Sequence, residues 1–313
     1  MSKQVTDTIL MIRPVRFGYN PQTAGNNSFQ NAEGSENGQA IQAGALAEFD
    51  AFVEKLRAVG VRVLVFSDRP DAPQPDSIFP NNWLSTHDSG LVILYPMYAP
   101  NRRAERRLDL VEALSKEHGL DVRMIVDLSA NERSNRFLEG TGSMIIDHEV
   151  RAIYACLSPR TDALLLEEYA QTFGYQLHTF DAFDQSGQPI YHTNVIMHLG
   201  SRLAVICLEA LPVEQRAAVR HALDLTGKQV LEISLDQMNR FAGNMLEVRS
   251  ADGQHYTVMS QQALDALGGE QRTLIESYTP IIASSLDTIE RFGGGSARCM
   301  MAEVFLGGGV PGV

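Results

Sequence analysis

The chain has 313 residues, 26 basic and 38 acidic side chains, a formal net charge of -12 and 44% hydrophobic content. That length and balance describe a globular protein able to bury a sizeable core, without a low-complexity tract or disordered tail, and the negative charge argues against nucleic acid as a partner. Three widely spaced cysteines, Cys156, Cys207 and Cys299, form neither a disulfide framework nor a metal-ligand cluster and fit a reducing cytoplasm.

The opening MSKQVTDTILMIRP lacks a basic segment followed by a long apolar run. No later stretch reaches the roughly 20 apolar residues that span a bilayer, so neither export nor membrane insertion is expected. Residues 5 to 12 end in an apolar run that reads as a strand, and residues 18 to 39, dense in Gly, Asn and Gln, read as a long loop. Ile41, Ala45, Leu46, Phe49, Phe52, Val53 and Leu56 recur at helical spacing over 40 to 58, and Gly60 stops that helix before a strand at 61 to 66. A proline-rich loop leads into Ser77 to Thr86, a strand edge, followed by a strand at 91 to 95. Arg102, Arg103, Arg106 and Arg107 open a helix predicted to run to about His118, and a strand follows at 122 to 127.

The same order of hairpin, helix and strand recurs three times. Strands at 144 to 146 and 151 to 156 precede a helix around 160 to 173 and a strand at 175 to 180. Strands at 190 to 199 and 203 to 207 precede a helix at 211 to 225 and a strand at 229 to 233. Strands at 243 to 248 and 255 to 260 precede a helix at 260 to 267 and a strand at 272 to 278. A helical segment from about Ser284 to Phe292, a glycine run and a strand from Met301 to Phe305 complete the pattern with the N-terminal pieces. The little-charged tail, Gly308 to Val313, reads as disordered or packed into an interface. Five units, each strand, strand, helix, strand, argue for radial stacking in a single domain over residues 1–313. A doubly wound sheet is the alternative, but it accounts less well for the hairpins, and no Gly-rich dinucleotide turn follows the first strand.

Gly293-Gly294-Gly295-Ser296-Ala297-Arg298-Cys299 looks built to present a thiol, since consecutive glycines would leave room for a substrate beside the sulfur. A lone cysteine is equally a small buried hydrophobe. His192, at the start of an apolar strand, is a candidate proton carrier or a satisfied structural histidine. Glu139 sits between an apolar pair and a glycine turn, where a buried carboxylate needs a partner. Asn81 and Asn82, preceded by Asp76, take the equivalent place in the second unit, and Asn244 takes it in the fifth. Units arranged about an axis would bring Asn82, Glu139, His192 and Cys299 together as nucleophile, proton carrier and acceptor. Cys156 and Cys207 lie in apolar strands and read as core, while Trp83 either walls the pocket or packs under the ring, the second being the preferred reading.

Asp76-Ser77-Ile78-Phe79, Phe137-Leu138-Glu139-Gly140, Tyr191-His192-Thr193-Asn194 and the glycine-flanked Cys299 resemble the guanidino-group-modifying superfamily of deiminases, dimethylarginine hydrolases and amidinotransferases. With Phe79-Pro80-Asn81-Asn82-Trp83, the chain looks most similar to its citrulline-utilisation branch. The resemblance implies a five-bladed α/β propeller of pseudo-fivefold ββαβ repeats with a central site and no metal or organic cofactor. It further implies that Cys299 attacks the guanidino or ureido carbon, that His192 protonates the leaving nitrogen and then activates water, and that Glu139 orients the group under attack. Asp76 would lie near the substrate's amino-acid end. Arg160 would hold its carboxylate, with Arg102 or Arg103 as a second clamp, unless those two are solvated helix-start charges.

Where deiminases carry aspartates, the matching positions are Asn82 and Asn194, and Gly142 replaces the acid that commonly ends the Glu-Gly-Gly-Asp motif. Amides can donate to a carbonyl, which favours a neutral ureido substrate such as L-citrulline, giving ornithine, ammonia and carbon dioxide. Arginine, a methylated arginine or amidino transfer at the same site is the alternative. A ring-shaped amino-acid-binding protein without catalysis is the non-enzyme reading. A small-molecule amino acid is the expected partner, and a homo-oligomer is open.

Overall fold

The computed structural model describes residues 3–72 and 74–308. The remainder of the 308–313 tail therefore lies outside the described residues. Helix Gly38–Ala58 forms where the spacing predicts it and buries Ile41, Ala45, Phe49, Phe52, Val53 and Leu56 on one face. It carries the chain from strand Thr8–Arg13 across to the parallel strand Arg62–Ser67.

Four more units repeat that logic. Leu84–Thr86 pairs antiparallel with Leu91–Leu94, which pairs parallel with Met124–Asp127 after helix Leu108–Lys116. Ile145–Asp147, Ala152–Cys156 and Gln176–Phe180 do the same around helix Ala163–Phe173. Met197–Leu199, Leu203–Ile206 and Gln229–Glu232 flank helix Val213–Asp224. Leu246–Arg249, His255–Ser260 and Ile281–Ser284 flank two helices, Gln261–Ala266 and Gly269–Glu276. Thr8–Arg13 gains its antiparallel neighbour from the other end of the sequence, Ala302–Glu303.

The expected five-bladed propeller is corrected by these ladders. Every named strand pairs only within its own three-stranded sheet, and no sheet is closed or curled, so the architecture is a mixed α/β fold of five small sheets and helices. Periodicity marks strands and crossovers, but closure depends on how units meet, which no local pattern encodes.

Three local expectations also change. The arginine-rich segment begins as a 3-10 helix, Pro100–Glu105, and Arg106 and Arg107 adopt extended backbone before helix Leu108–Lys116. Residues 272 to 278, expected as a strand, belong to helix Gly269–Glu276, whose Gly268 N–H is held by Gln271, and the strand comes later at Ile281–Ser284. The stretch before each of three hairpins is a helical turn: Pro80–Asn82, Gly140–Ser143 and Thr193–Ile196.

The interior is divided into several apolar clusters. Trp83, 1% exposed, packs with Leu10, Leu84, Val92 and Leu94. Cys156 and Cys207 are core residues, their thiols pushed up by burial to about 12 and about 11. Among the described residues no helix is long and apolar enough to cross a membrane.

Three histidines outside the candidate site, His87 and His198 buried and His148 half-buried, contribute to the acid sensitivity of the fold. Burial lowers His87 to about 4 and His148 to about 3, and it lowers His198 as well. These rings stay neutral when folded but take protons in the unfolded chain below about pH 6.5, so their contribution is present above that value and is lost as pH falls toward 4. Each contributes a slope on the order of 1.4 kcal/mol per pH unit within that window. Burial raises carboxyls that act in the opposite sense, Glu105 to about 8 and Glu290 to about 7, with Glu48, Asp76 and Glu303 raised as well. Thermal melts should therefore show Tm falling less, or rising more, between pH 7 and pH 5 in His148→Gln than in wild type. The same pH dependence of Tm in the two proteins would remove His148 as a contributor.

Candidate functional site

The candidate residues share a local device. Asn82 ends the 3-10 turn Pro80–Asn82, Glu139 and His192 are the N-caps of single helical turns, and Cys299 sits in the 3-10 turn Ala297–Met300. Each turn lies immediately ahead of an edge strand of a different sheet. Short turns aim a side chain inward without extending the ladder, which is why strand patterning did not find them.

Glu139 is the hub. It is fully buried, and its Oε2 meets His192 Nε2 at 2.8 Å, Arg160 Nη1 at 3.5 Å and Arg102 Nη1 at 3.9 Å. The Tyr98 backbone N–H donates to its Oε1. Burial alone would raise this carboxyl, but Arg160, the bond to His192 and the charge on Arg102 together outweigh it and bring it to about 2. Burial likewise drives His192 down, and despite the opposing pull of Glu139 the ring settles at about 4. Glu139 is therefore an anion and His192 a neutral imidazole at pH 7. A carboxylate accepts only, so Nε2 carries the proton and Nδ1 is left as the base.

Nδ1 lies beside Gly142. A Cβ at position 142 would sit 2.8 Å from His192 Nδ1 and 2.5 Å from Asn82 Nδ2, so this position requires glycine and leaves no room for an acid. Support for Glu139 comes instead from Ser143, whose Oγ accepts the Glu139 N–H and donates to the Arg160 carbonyl.

The two arginine candidates separate. Arg102 is 2% exposed, pairs with Glu105 at 2.8 Å, approaches Asp76 at 3.8 Å and donates through Nη1 to Asn82 Oδ1. It is not a solvated helix-start charge. Arg103 is partly exposed, donates to Met97 and Tyr98 carbonyls, and pairs with Glu132 at 3.4 Å, away from Glu139. Arg160 is buried over the Tyr191 ring and donates to Asn26 Oδ1 and the Thr23 carbonyl. Asp76 Oδ2 accepts from Asn20 Nδ2 at 2.7 Å and from Thr23 Oγ1 at 3.2 Å.

Cys299, 4% exposed, is met by two amides: Asn194 Nδ2 at 3.4 Å and Asn244 Nδ2 at 3.3 Å from Sγ. The glycines before it have a packing role. A Cβ at Gly293 or Gly295 would lie 2.8 or 2.9 Å from the Phe79 ring, so they admit that ring under the thiol loop, and at Gly295 it would also come within 3.3 Å of Cys299 Cβ. Several buried polar atoms have no protein partner: Asp76 Oδ1, both amide atoms of Asn81, Asn82 Nδ2 and Asn194 Oδ1. Unpaired buried groups are costly, and a cluster of them is a place for a polar ligand.

Sequence reasoning missed Asn20, Thr23, Asn26 and Glu105. The first three lie in the polar loop, where Asn and Gln content signals a loop but not what it covers. Glu105 was hidden by the reading of its neighbours as a charged surface.

A family model described as N,N dimethylarginine dimethylhydrolase, eukaryotic, matches residues 13–306. Among solved structures, the N-terminal domain of ArgZ, an arginine dihydrolase from the ornithine-ammonia cycle in cyanobacteria, was captured as a cysteine-to-serine mutant bound to substrate. It is similar at a TM-score of 0.72 and 16% identity over 96% of this chain and 99% of that one. Apo ArgZ gives 0.70 and 16% over 94% of this chain, which spans 40% of the ArgZ chain. A dimethylarginine dimethylaminohydrolase histidine-to-glycine variant in an adduct with S-methyl-L-thiocitrulline gives 0.62 and 13% over 96% and 99%. At these identities the solved structures show the fold alone. No curated protein matches the chain.

Proposed function

We propose, from the premise that the chain belongs to the N,N-dimethylarginine dimethylhydrolase family, that it is a cysteine-dependent hydrolase acting on the guanidino carbon of arginine or an N-methylated arginine. The observation that carries this is the buried Glu139 anion, hydrogen-bonded to neutral His192 and flanked by two guanidinium groups. An arginine-class substrate brings both a cation and a carboxylate. Its guanidinium supplies a partner for Glu139, while its carboxylate takes the place that Asn26 Oδ1 holds on Arg160. Its α-ammonium meets Asp76, whose Oδ1 is unpaired.

In the reaction, Cys299 Sγ bonds to the guanidino carbon, and electrons of a C=N bond move onto nitrogen. His192 Nδ1 takes the Cys299 thiol proton as the sulfur adds and gives it to the departing nitrogen, which leaves as ammonia or a methylamine when its C–N bond breaks. Water then gives a proton to His192 and adds to the same carbon, the C–S bond breaks with its electron pair going to sulfur, and His192 returns the proton to that sulfur as the ureido amino acid is released. Arginine plus water thus yields citrulline and ammonia.

The asparagines acquire a different part from the one first read. Asn194 Nδ2 is spent on sulfur, and its free Oδ1 is an acceptor suited to guanidinium N–H groups. Asn82 offers the free donor, Nδ2, which suits the ureido oxygen formed in the first round. Citrulline is therefore placed second, as the substrate of a further round giving ornithine, ammonia and carbon dioxide. The dihydrolase activity named for ArgZ is consistent with such a sequence.

Steady-state kinetics with arginine, monomethyl- and dimethylarginine and citrulline, with product identification, tests this. A guanidino substrate should show the highest kcat/KM; a clear preference for citrulline would overturn the assignment. Asn194→Asp should raise the ratio of arginine to citrulline kcat/KM by about tenfold, because a carboxylate gains a charge-assisted bond only from the cation. A ratio unchanged in a folded variant would remove Asn194 from substrate discrimination.

A further inference from the structure

Glu105 ends the 3-10 helix Pro100–Glu105 with its side chain turned inward, 4% exposed. Its two oxygens meet one edge of the Arg102 guanidinium, Oε1 accepting from Nε at 2.9 Å and Oε2 from Nη2 at 2.8 Å. Two parallel bonds fix the plane of a guanidinium and therefore which nitrogen is left over. That nitrogen, Nη1, donates to Asn82 Oδ1 at 2.9 Å.

The Asn82 amide is thereby given a direction. A guanidinium only donates, so the atom facing Nη1 is the amide oxygen and Nδ2 points the other way. Nδ2 is buried without a protein partner, and among the described residues the bond from Arg102 is the one hydrogen bond this amide makes. A Cβ at Gly142 would lie 2.5 Å from Nδ2 and 2.8 Å from His192 Nδ1, so the free donor and the free base face the same gap.

Other carboxylates compete for Arg102. Asp76 Oδ2 stands 3.8 Å from Nε and Glu139 Oε2 3.9 Å from Nη1, both just beyond hydrogen-bond reach. A guanidinium drawn onto either would leave Asn82 Oδ1 and free the amide to rotate its oxygen into the gap. Every side-chain hydrogen bond of Glu105 among the described residues goes to Arg102, so its one evident task is to hold that group where it is.

We propose that Glu105 is a positioning residue for substrate discrimination: by holding the Nε edge of Arg102 it keeps Nη1 on Asn82, and so keeps the Asn82 donor turned toward the reacting carbon. This rests on the site taking arginine-class amino acids and their ureido products. A ureido oxygen needs a donor, so its recognition depends on Glu105, and does so only through Asn82. A Glu105 that only stabilised the fold would act alike whether or not Asn82 is present.

The test is calorimetric titration of citrulline and of arginine into Cys299→Ser protein, where turnover does not obscure binding, with Glu105→Gln and Asn82→Ala introduced singly and together. Glu105→Gln keeps the size of the side chain but sets an amide N–H2 against a guanidinium donor. It should weaken citrulline by about tenfold when Asn82 is present and by no more than about twofold in the Asn82→Ala background. Equal losses in the two backgrounds, or an unchanged citrulline affinity in folded Glu105→Gln, overturn the inference. Glu105→Asp, which keeps the carboxyl but withdraws it from the guanidinium, reads the same coupling where the glutamine variant does not fold. Arginine binding without measurable citrulline binding also overturns the inference and leaves the site intact. Binding of neither amino acid would overturn the assignment of the site itself, and the inference with it.

Discussion

Cys299→Ser is expected to lower turnover of an arginine-class substrate by about a thousandfold or more while leaving the fold intact. The change exchanges one atom in a side chain that is 4% exposed and packed in the turn Ala297–Met300, so there is little cavity to collapse and no charge to rebury. What is lost is ionisability. Amide N–H groups from Asn194 and Asn244 can stabilise a thiolate, but an alcohol lies too far above neutrality for two neutral donors to ionise it. Intact-mass spectra of protein quenched during turnover should show a covalent adduct on Cys299 in wild type and none in the serine variant. Undiminished turnover in the serine variant would return Cys299 to the status of a core residue.

Glu139→Gln should damage both activity and stability. One carboxylate serves His192 at 2.8 Å, Arg160 at 3.5 Å and Arg102 at 3.9 Å in a site without exposure. Removing its charge leaves buried guanidinium groups with less compensation, which for a broken buried pair costs about 3–5 kcal/mol. Arg102 keeps Glu105 at 2.8 Å, so the lower end of that range applies. The catalytic effect is separate. A glutamine can donate to Nε2 and so favour the tautomer that puts the proton on Nδ1, the nitrogen required as base. A loss of about 10²–10⁴ in kcat is expected, in line with removal of general acid–base catalysis. Thermal melts and steady-state kinetics on the same preparation separate the two effects. Wild-type kcat would show that the carboxylate is structural only.

How far the sequence carries can be seen in particular residues. Glu139 was legible because a carboxylate between an apolar pair and a glycine turn needs a partner, whereas His192 stood equally for a structural histidine until the structure joined the two at 2.8 Å. Arg102 and Arg103 were not separable, since neighbours in an arginine-rich stretch look alike until a 3-10 turn points one inward against Asp76 and Glu105 and the other toward Glu132. The part the glycines near Cys299 play in seating Phe79 was not legible because that ring is more than two hundred residues away in the chain. The polar loop was found, but its asparagines proved to occupy Asp76 and Arg160 themselves.

By itself, the sequence determined the helices with one clear apolar face, most strands and their antiparallel or parallel order, the burial of Trp83, Cys156 and Cys207, and the chemical types gathered around Cys299. These follow from periodicity and the cost of burying polar groups, both local properties of the chain. Only the tertiary structure decided that the strands form five separate three-stranded sheets. It also decided that Gly142 leaves space for His192 and Asn82, and that the Asn194 and Asn244 amides turn toward sulfur. Each of those outcomes depends on distances between turns remote in sequence, where a few tenths of an ångström decide which donor finds which acceptor.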